Sequence, residues 1–96
     1  MTVAQEVRSK RLAILEAAAR RGARNVRIFG SAARGDASDS SDVDFLVDME
    51  RGRTLLDLGG LYADLQDLLG RPVDLVTEKG ISKYIRRRVL SEAVPL

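Results

Sequence analysis

The sequence contains no cysteine and no histidine among its 96 residues. The missing cysteines exclude disulfides and thiolate metal sites, and they permit a reducing compartment. The missing histidines exclude Ser-His and Cys-His catalysis and disfavour a zinc site. No apolar run approaches the length of a membrane span, and the N-terminus lacks the apolar core of a signal peptide. We therefore expect a cytoplasmic protein that does not bind membranes.

The charges are unevenly distributed, although the net charge is only +2. Residues 1–35 carry 8 basic and 2 acidic side chains, residues 36–78 carry 3 and 11, and residues 79–96 carry 5 and 1. One interpretation is a set of solvated helix faces. The other is an acidic site that needs counter-charge from a metal ion, with basic flanks that face phosphates or an acidic partner.

The length suits one domain over residues 1–96, and the hydrophobic pattern predicts a mixed α/β (α+β) fold. Thr2, Thr54, Gly22 and Gly70 are candidate helix caps. The pattern predicts three helices, over residues 3–21, 54–69 and 82–93. It also predicts three strands, over residues 25–29, 43–48 and 72–77.

Three aspartates lie in or beside the predicted strands. Asp42 and Asp44 are two residues apart, so their side chains share one face if the strand begins near Asp42. Asp74 points to the same side, and it joins them if its strand lies beside 43–48. Adjacent carboxylates repel unless a proton or cation lies between them, and divalent metals prefer carboxylate oxygens. The three residues therefore predict a catalytic, metal-binding site for phosphoryl transfer.

A Gly-Ser pair follows the first predicted strand. Gly30 allows a ligand to approach closely, and Ser31 begins a helical turn whose N–H groups and hydroxyl can hold a phosphate. Arg34 adds positive charge, and a polar loop over 36–41 leads back to the aspartates. The spacing of “GSAARGD” superficially resembles a P-loop, but Asp36 occupies the position of the Walker lysine, so we reject a P-loop NTPase.

Each feature by itself also has a purely structural explanation. A Gly-Ser pair is commonly just a turn, an Asp-x-Asp a solvated strand face, and Asp74 a charge that protects a sheet edge. The joint pattern favours a functional site.

This joint pattern resembles the DNA polymerase β-like nucleotidyltransferase superfamily. The stretches “FGSAARGDASDSSDVDFLV”, “PVDLVT” and “IRRRVLSEAV” are similar to its minimal nucleotidyltransferase branch, over about residues 23–95. The resemblance implies a polymerase β-like nucleotidyltransferase fold with a small mixed sheet and helices packed against it. It also implies a role for each site residue. Gly30, Ser31 and Arg34 would bind the nucleotide, while Asp42, Asp44 and Asp74 would be the catalytic carboxylates and the ligands of Mg²⁺ or Mn²⁺.

The resemblance further implies an activity and a partner. Many minimal nucleotidyltransferases resemble the antitoxin of a pair whose toxin is a HEPN ribonuclease, and some transfer AMP from ATP to a tyrosine of that toxin. We therefore expect a Mg-dependent protein adenylyltransferase that acts as an antitoxin on a HEPN-type partner. We expect no direct nucleic-acid binding, and a homo- or hetero-oligomer.

Two alternatives remain open. The chain could be a non-catalytic antitoxin that neutralises its partner by binding alone, or a nucleotidyltransferase for small molecules such as aminoglycosides. One short domain offers no second wall for a drug pocket, which disfavours the latter. The predicted helices 54–69 and 82–93 are candidate partner surfaces, although core packing is the favoured explanation of the leucines in the first.

Overall fold

The computed structural model describes residues 2–38 and 41–96, so residues 39 and 40 of the predicted loop lie outside the described part. Helices and strands alternate along most of the chain, which confirms the predicted α/β class. The elements are α1 (Val3–Ser9), α2 (Arg11–Arg20), β1 (Ala23–Phe29), α3 (Gly30–Arg34), β2 (Val43–Met49), α4 (Leu55–Leu69), β3 (Val73–Thr77), α5 (Lys83–Glu92) and β4 (Val94–Pro95).

The strands form one mixed sheet in the order β3-β2-β1-β4. Strand β2 runs antiparallel to β1 and parallel to β3. The two-residue strand β4 runs antiparallel to β1, and the Leu96 N–H donates to the Val26 carbonyl at 3.0 Å. The sequence pattern did not predict β4, because two residues that include a proline carry no strand periodicity.

The hydrophobic core lies on one face of the sheet. Val43, Phe45 and Val47 of β2 are fully buried there, as predicted from their alternation, and they pack with Ile14 of α2 and Leu61 of α4. On the opposite face Leu46 is also fully buried, whereas its neighbours along that side of β2 are the partly exposed aspartates at positions 44 and 48. The sheet is therefore apolar on its core face and carries an acidic row on the other.

The helix α5 is anchored to elements on the acidic side of the sheet. Arg86 donates to Glu78, just beyond the end of β3, at 3.0 Å. Near its other end, Glu92 accepts from Arg34 of α3 at 3.2 Å. The second of these ion pairs holds the end of α5 beside the region that contains the aspartates.

The predicted single helix over 3–21 was wrong, because the chain breaks at Lys10 into α1 and α2. The Ser9 hydroxyl donates to the Glu6 carbonyl at 2.6 Å, which competes with the helical hydrogen bonds. Lys10 Nζ in turn donates to the Leu68 carbonyl at the end of α4, at 2.6 Å. Helical periodicity did not reveal the break, because the apolar spacing continues across Lys10.

Three of the four predicted helix caps are present, whereas the C-cap of α2 is Arg21, one residue before the predicted Gly22. Thr2 and Thr54 each form a capping box, with Gln5 and Asp57 respectively. Gly70 adopts a left-handed conformation (φ 62°) at the end of α4. Among the described residues, no helix is both long enough and apolar enough to span a bilayer.

Candidate active site

Two of the predicted site aspartates lie side by side on adjacent strands. Asp44 of β2 is the register partner of Asp74 of β3. Because register partners in a parallel pair project to the same face, both carboxylates lie on the acidic face of the sheet. The Val43 N–H donates to the Pro72 carbonyl at 3.1 Å and holds the two strand beginnings together. Asp42 immediately precedes β2 and is exposed, as is Asp74, whereas Asp44 is partly buried.

This cluster carries an excess of negative charge. Burial, and after it repulsion from Asp74 and Asp42, raises the pKa of Asp44 to about 6. Glu92 acts in the same direction, whereas the positive charge of Arg34 opposes the shift. A divalent cation would relieve this repulsion, and carboxylate oxygens are ligands that Mg²⁺ and Mn²⁺ favour, so the donor set fits such an ion.

The three carboxylates do not form a ready-made ligand cage. Within residues 2–38 and 41–96, no three acidic side chains lie close enough together to form a metal-ligand group. The repulsion that raises the pKa of Asp44 also opposes the closer approach of Asp42 and Asp74. Their role as metal ligands therefore stays a prediction.

Gly30 is in direct contact with the acidic cluster. It follows Phe29, the register partner of Asp44, and has a positive φ of 69°. A Cβ placed on Gly30 would overlap Oδ2 of Asp44 and lie 3.3 Å from its Cγ. Any other residue at this position would displace the Asp44 carboxylate in addition to straining the backbone.

Ser31 and Arg34 lie on the short helix that begins at Gly30. Among the described residues, the Ser31 hydroxyl has no hydrogen-bond partner. Arg34 donates from Nε to Oδ2 of Asp36 at 3.3 Å and from Nη1 to both carboxylate oxygens of Glu92 at 3.2 Å. These two acids, Asp36 more strongly, raise the pKa of Arg34, so its charge is permanent.

The chain matches one family over most of its length. A family profile described as a nucleotidyltransferase domain matches residues 11–96. The chain is 44% identical over 73 residues to the protein adenylyltransferase MntA of Thermococcus cleftensis, which covers 76% of this chain and 74% of that protein. It is also 38% identical over 89 residues to a Methanocaldococcus jannaschii protein provisionally named a protein adenylyltransferase. That match covers 93% of this chain and 92% of the other protein.

The chain belongs to the nucleotidyltransferase domain family. Its fold is similar to that of a solved structure provisionally described as a minimal nucleotidyltransferase, with a TM-score of 0.89, 49% identity, and coverage of 100% of this chain and 97% of that one. This match confirms the predicted fold. A second structure, described as a toxin–antitoxin with AMP-PNP, matches with a TM-score of 0.73 over 85% of this chain and 68% of that one. At 21% identity, this likeness shows the fold alone.

One residue near the site of this nucleotidyltransferase was not predicted from the sequence. Glu92 stands 58 positions after Arg34, and only the packing of α5 brings the two side chains together. The stretch “LSEA” does not indicate this contact, because an acidic residue near the end of a helix is usually just exposed to solvent.

A separate cavity of about 780 Å³ lies at the other end of the sheet. Its walls come from the ends of β2 and β3 and from the beginning of α4, and they include Asp48, Thr77 and Leu55. None of the six predicted site residues lines it. The acidic cluster instead lies on an exposed part of the surface, and it is the candidate site because the carboxylates and the close approach of Gly30 to Asp44 meet there.

Proposed function

We propose that this nucleotidyltransferase transfers AMP from ATP to a hydroxyl group of a partner protein. The observation that carries the proposal is the contact of Gly30 with Asp44 together with the register pairing of Asp44 and Asp74. The absence of a side chain on Gly30 lets the start of α3 pack against Asp44, beside carboxylates whose mutual repulsion Arg34 opposes only in part. A metal–triphosphate complex would supply the missing positive charge, with the triphosphate at the start of α3.

Each site residue then has a role in the reaction. Asp42, Asp44 and Asp74 would hold Mg²⁺ or Mn²⁺, which when bound neutralises charge that develops on the phosphates. Gly30 and Ser31 would contact the triphosphate, and Arg34 would contribute a permanent positive charge.

The acceptor hydroxyl would lose its proton to the Asp74 carboxylate as its oxygen bonds to the α-phosphorus of ATP. The bond between the α-phosphorus and the oxygen that links it to the β-phosphorus breaks, and pyrophosphate leaves with that oxygen.

The acceptor is best explained as a protein side chain. Asp42 and Asp74 are exposed at an open edge of the molecule, which a macromolecular hydroxyl can reach and which offers no enclosing wall for a small substrate. Relatives are named protein adenylyltransferases. We therefore propose a tyrosine of a HEPN-type toxin as the acceptor and an antitoxin role for this chain.

The test is transfer of label from ATP to the partner. The chain is incubated with [α-³²P]ATP, Mg²⁺ and the HEPN protein encoded beside its gene, and the modified residue is identified by mass spectrometry. We expect labelled toxin carrying AMP on tyrosine, no label from [γ-³²P]ATP, and no transfer with Asp44→Asn. Neutralisation of the toxin by wild type and Asp44→Asn alike, without transfer of label, would support the non-catalytic antitoxin instead.

A further inference from the structure

We propose that Glu92 is a positioning residue that holds the Arg34 guanidinium at the edge of the carboxylate cluster, with its free N–H groups available to the triphosphate. The inference rests on the proposed function, because it concerns how the nucleotide-binding arginine is oriented. It adds a residue of α5 to a site otherwise built from α3, β2 and β3.

The contacts fix the plane of the guanidinium. Arg34 offers five N–H donors in a rigid planar fork. Nη1 lies 3.2 Å from both carboxylate oxygens of Glu92, and Nε lies 3.3 Å from Oδ2 of Asp36. Within the described part of the chain, Nη2 has no acceptor. Two nitrogens are therefore held by the protein, and the third is left for a ligand.

The location of Glu92 is unfavourable for α5 itself. Glu92 is the last residue of that helix, where the helix dipole disfavours a carboxylate. It also adds to the negative charge around Asp44. Two arginines offset the charge of Glu92: Arg34, and Arg88, whose Nε lies 3.5 Å from Oε1 of Glu92. Because part-exposed ion pairs contribute little to stability, the main consequence of the pair is the orientation of Arg34.

A double-mutant cycle tests this role through nucleotide affinity. Calorimetric titration of the full chain with Mg²⁺ and AMP-PNP would compare wild type, Arg34→Ala, Glu92→Ala and the double variant. We expect Arg34→Ala to weaken binding about tenfold, on the scale of one charge-assisted hydrogen bond, and Glu92→Ala about three- to tenfold. The double variant should bind like Arg34→Ala alone if the effect of Glu92 on nucleotide affinity is exerted through that arginine.

Two further variants separate positioning from general effects. Glu92→Gln keeps an oxygen that can accept from Nη1, so its affinity should stay within about twofold of wild type. Glu16→Ala removes the acid of another Glu–Arg pair, with Arg20 at 3.9 Å on α2, and should leave binding unchanged. Thermal melts should show similar stability for all variants, so that a loss of affinity reports the site and not the fold.

Three results would overturn the inference. These are wild-type affinity in Glu92→Ala, tighter binding in Glu92→Ala because a repulsive charge has gone, and additive losses in the double variant. A wild-type chain that fails to bind Mg²⁺ and AMP-PNP would instead remove the proposed function together with this inference. Normal binding by wild type with any of the three results would remove only the role of Glu92.

Discussion

Replacing Asp44 by asparagine should stabilise the metal-free protein, although it should abolish nucleotide transfer. The pKa of Asp44 rises from 3.8 to about 6 in the folded chain. A shift of that size corresponds to about 3 kcal/mol that the ionised carboxylate subtracts from the free energy of unfolding. Because the side chain is partly solvated, we discount this to about 1.5 kcal/mol. For a domain of this length, the melting temperature should rise by roughly 6–12 °C.

The pH dependence follows from the sign of the shift. A carboxyl whose pKa is higher in the folded chain than in the unfolded chain binds its proton more tightly when folded. The wild-type protein should therefore gain this stability as the pH falls through about 6, with the gain complete below the unfolded value of 3.8. The advantage of Asp44→Asn should be largest at pH 8, about half as large at pH 5, about a fifth as large at pH 4, and absent near pH 3.

The assay is thermal unfolding by circular dichroism in EDTA at pH 8 and pH 5. Asp48→Asn is the matched control on the same strand and face. Asp48 accepts from Asn25 Nδ2 at 2.9 Å and from Arg27 Nη2 at 3.0 Å, so its loss of charge should destabilise the fold. With Mg²⁺ and ATP, wild type should be stabilised by ligand binding and Asp44→Asn should not. A lower melting temperature for metal-free Asp44→Asn at pH 8 would refute the argument from uncompensated charge.

Three other substitutions test separate parts of the structure. Gly30→Ala should abolish transfer, because its Cβ would displace the Asp44 carboxylate. Gly35 has a similarly positive φ (83°), but no atom of the described residues lies within 4 Å of a Cβ placed there, so equal loss of transfer in Gly35→Ala would contradict the reasoning. Asp74→Asn should keep Mg²⁺–ATP binding but lower partner modification by about 10²-fold or more, as measured by initial rates with labelled ATP, whereas a normal rate would exclude a general base. Thr54→Ala removes the capping hydrogen bond to the Leu56 N–H at 3.2 Å and should cost about 1 kcal/mol in urea unfolding, with transfer unaffected.

Most of the local structure could be predicted because its causes are local. The alternation of Val43, Phe45 and Val47 identified the buried face of β2, and the capping residues of α4 located that helix to within one residue. The prediction failed where a distant contact competes with local propensity. Lys10, where the predicted first helix is interrupted, makes a side-chain bond to the distant Leu68 carbonyl, and β4 pairs with the edge of β1.

The candidate site divides in the same way. The sequence by itself determined which residues are candidates for the chemistry, because a Gly-Ser pair, two aspartates one residue apart and a third in a later strand are recognisable without coordinates. Only the tertiary structure decided that Asp44 and Asp74 are register partners, that Gly30 touches Asp44, and that Glu92 reaches Arg34. The physical reason is that periodicity and capping act over a few residues. Strand pairing and helix docking instead join segments 14 to 58 positions apart, and their geometry depends on how the whole core packs.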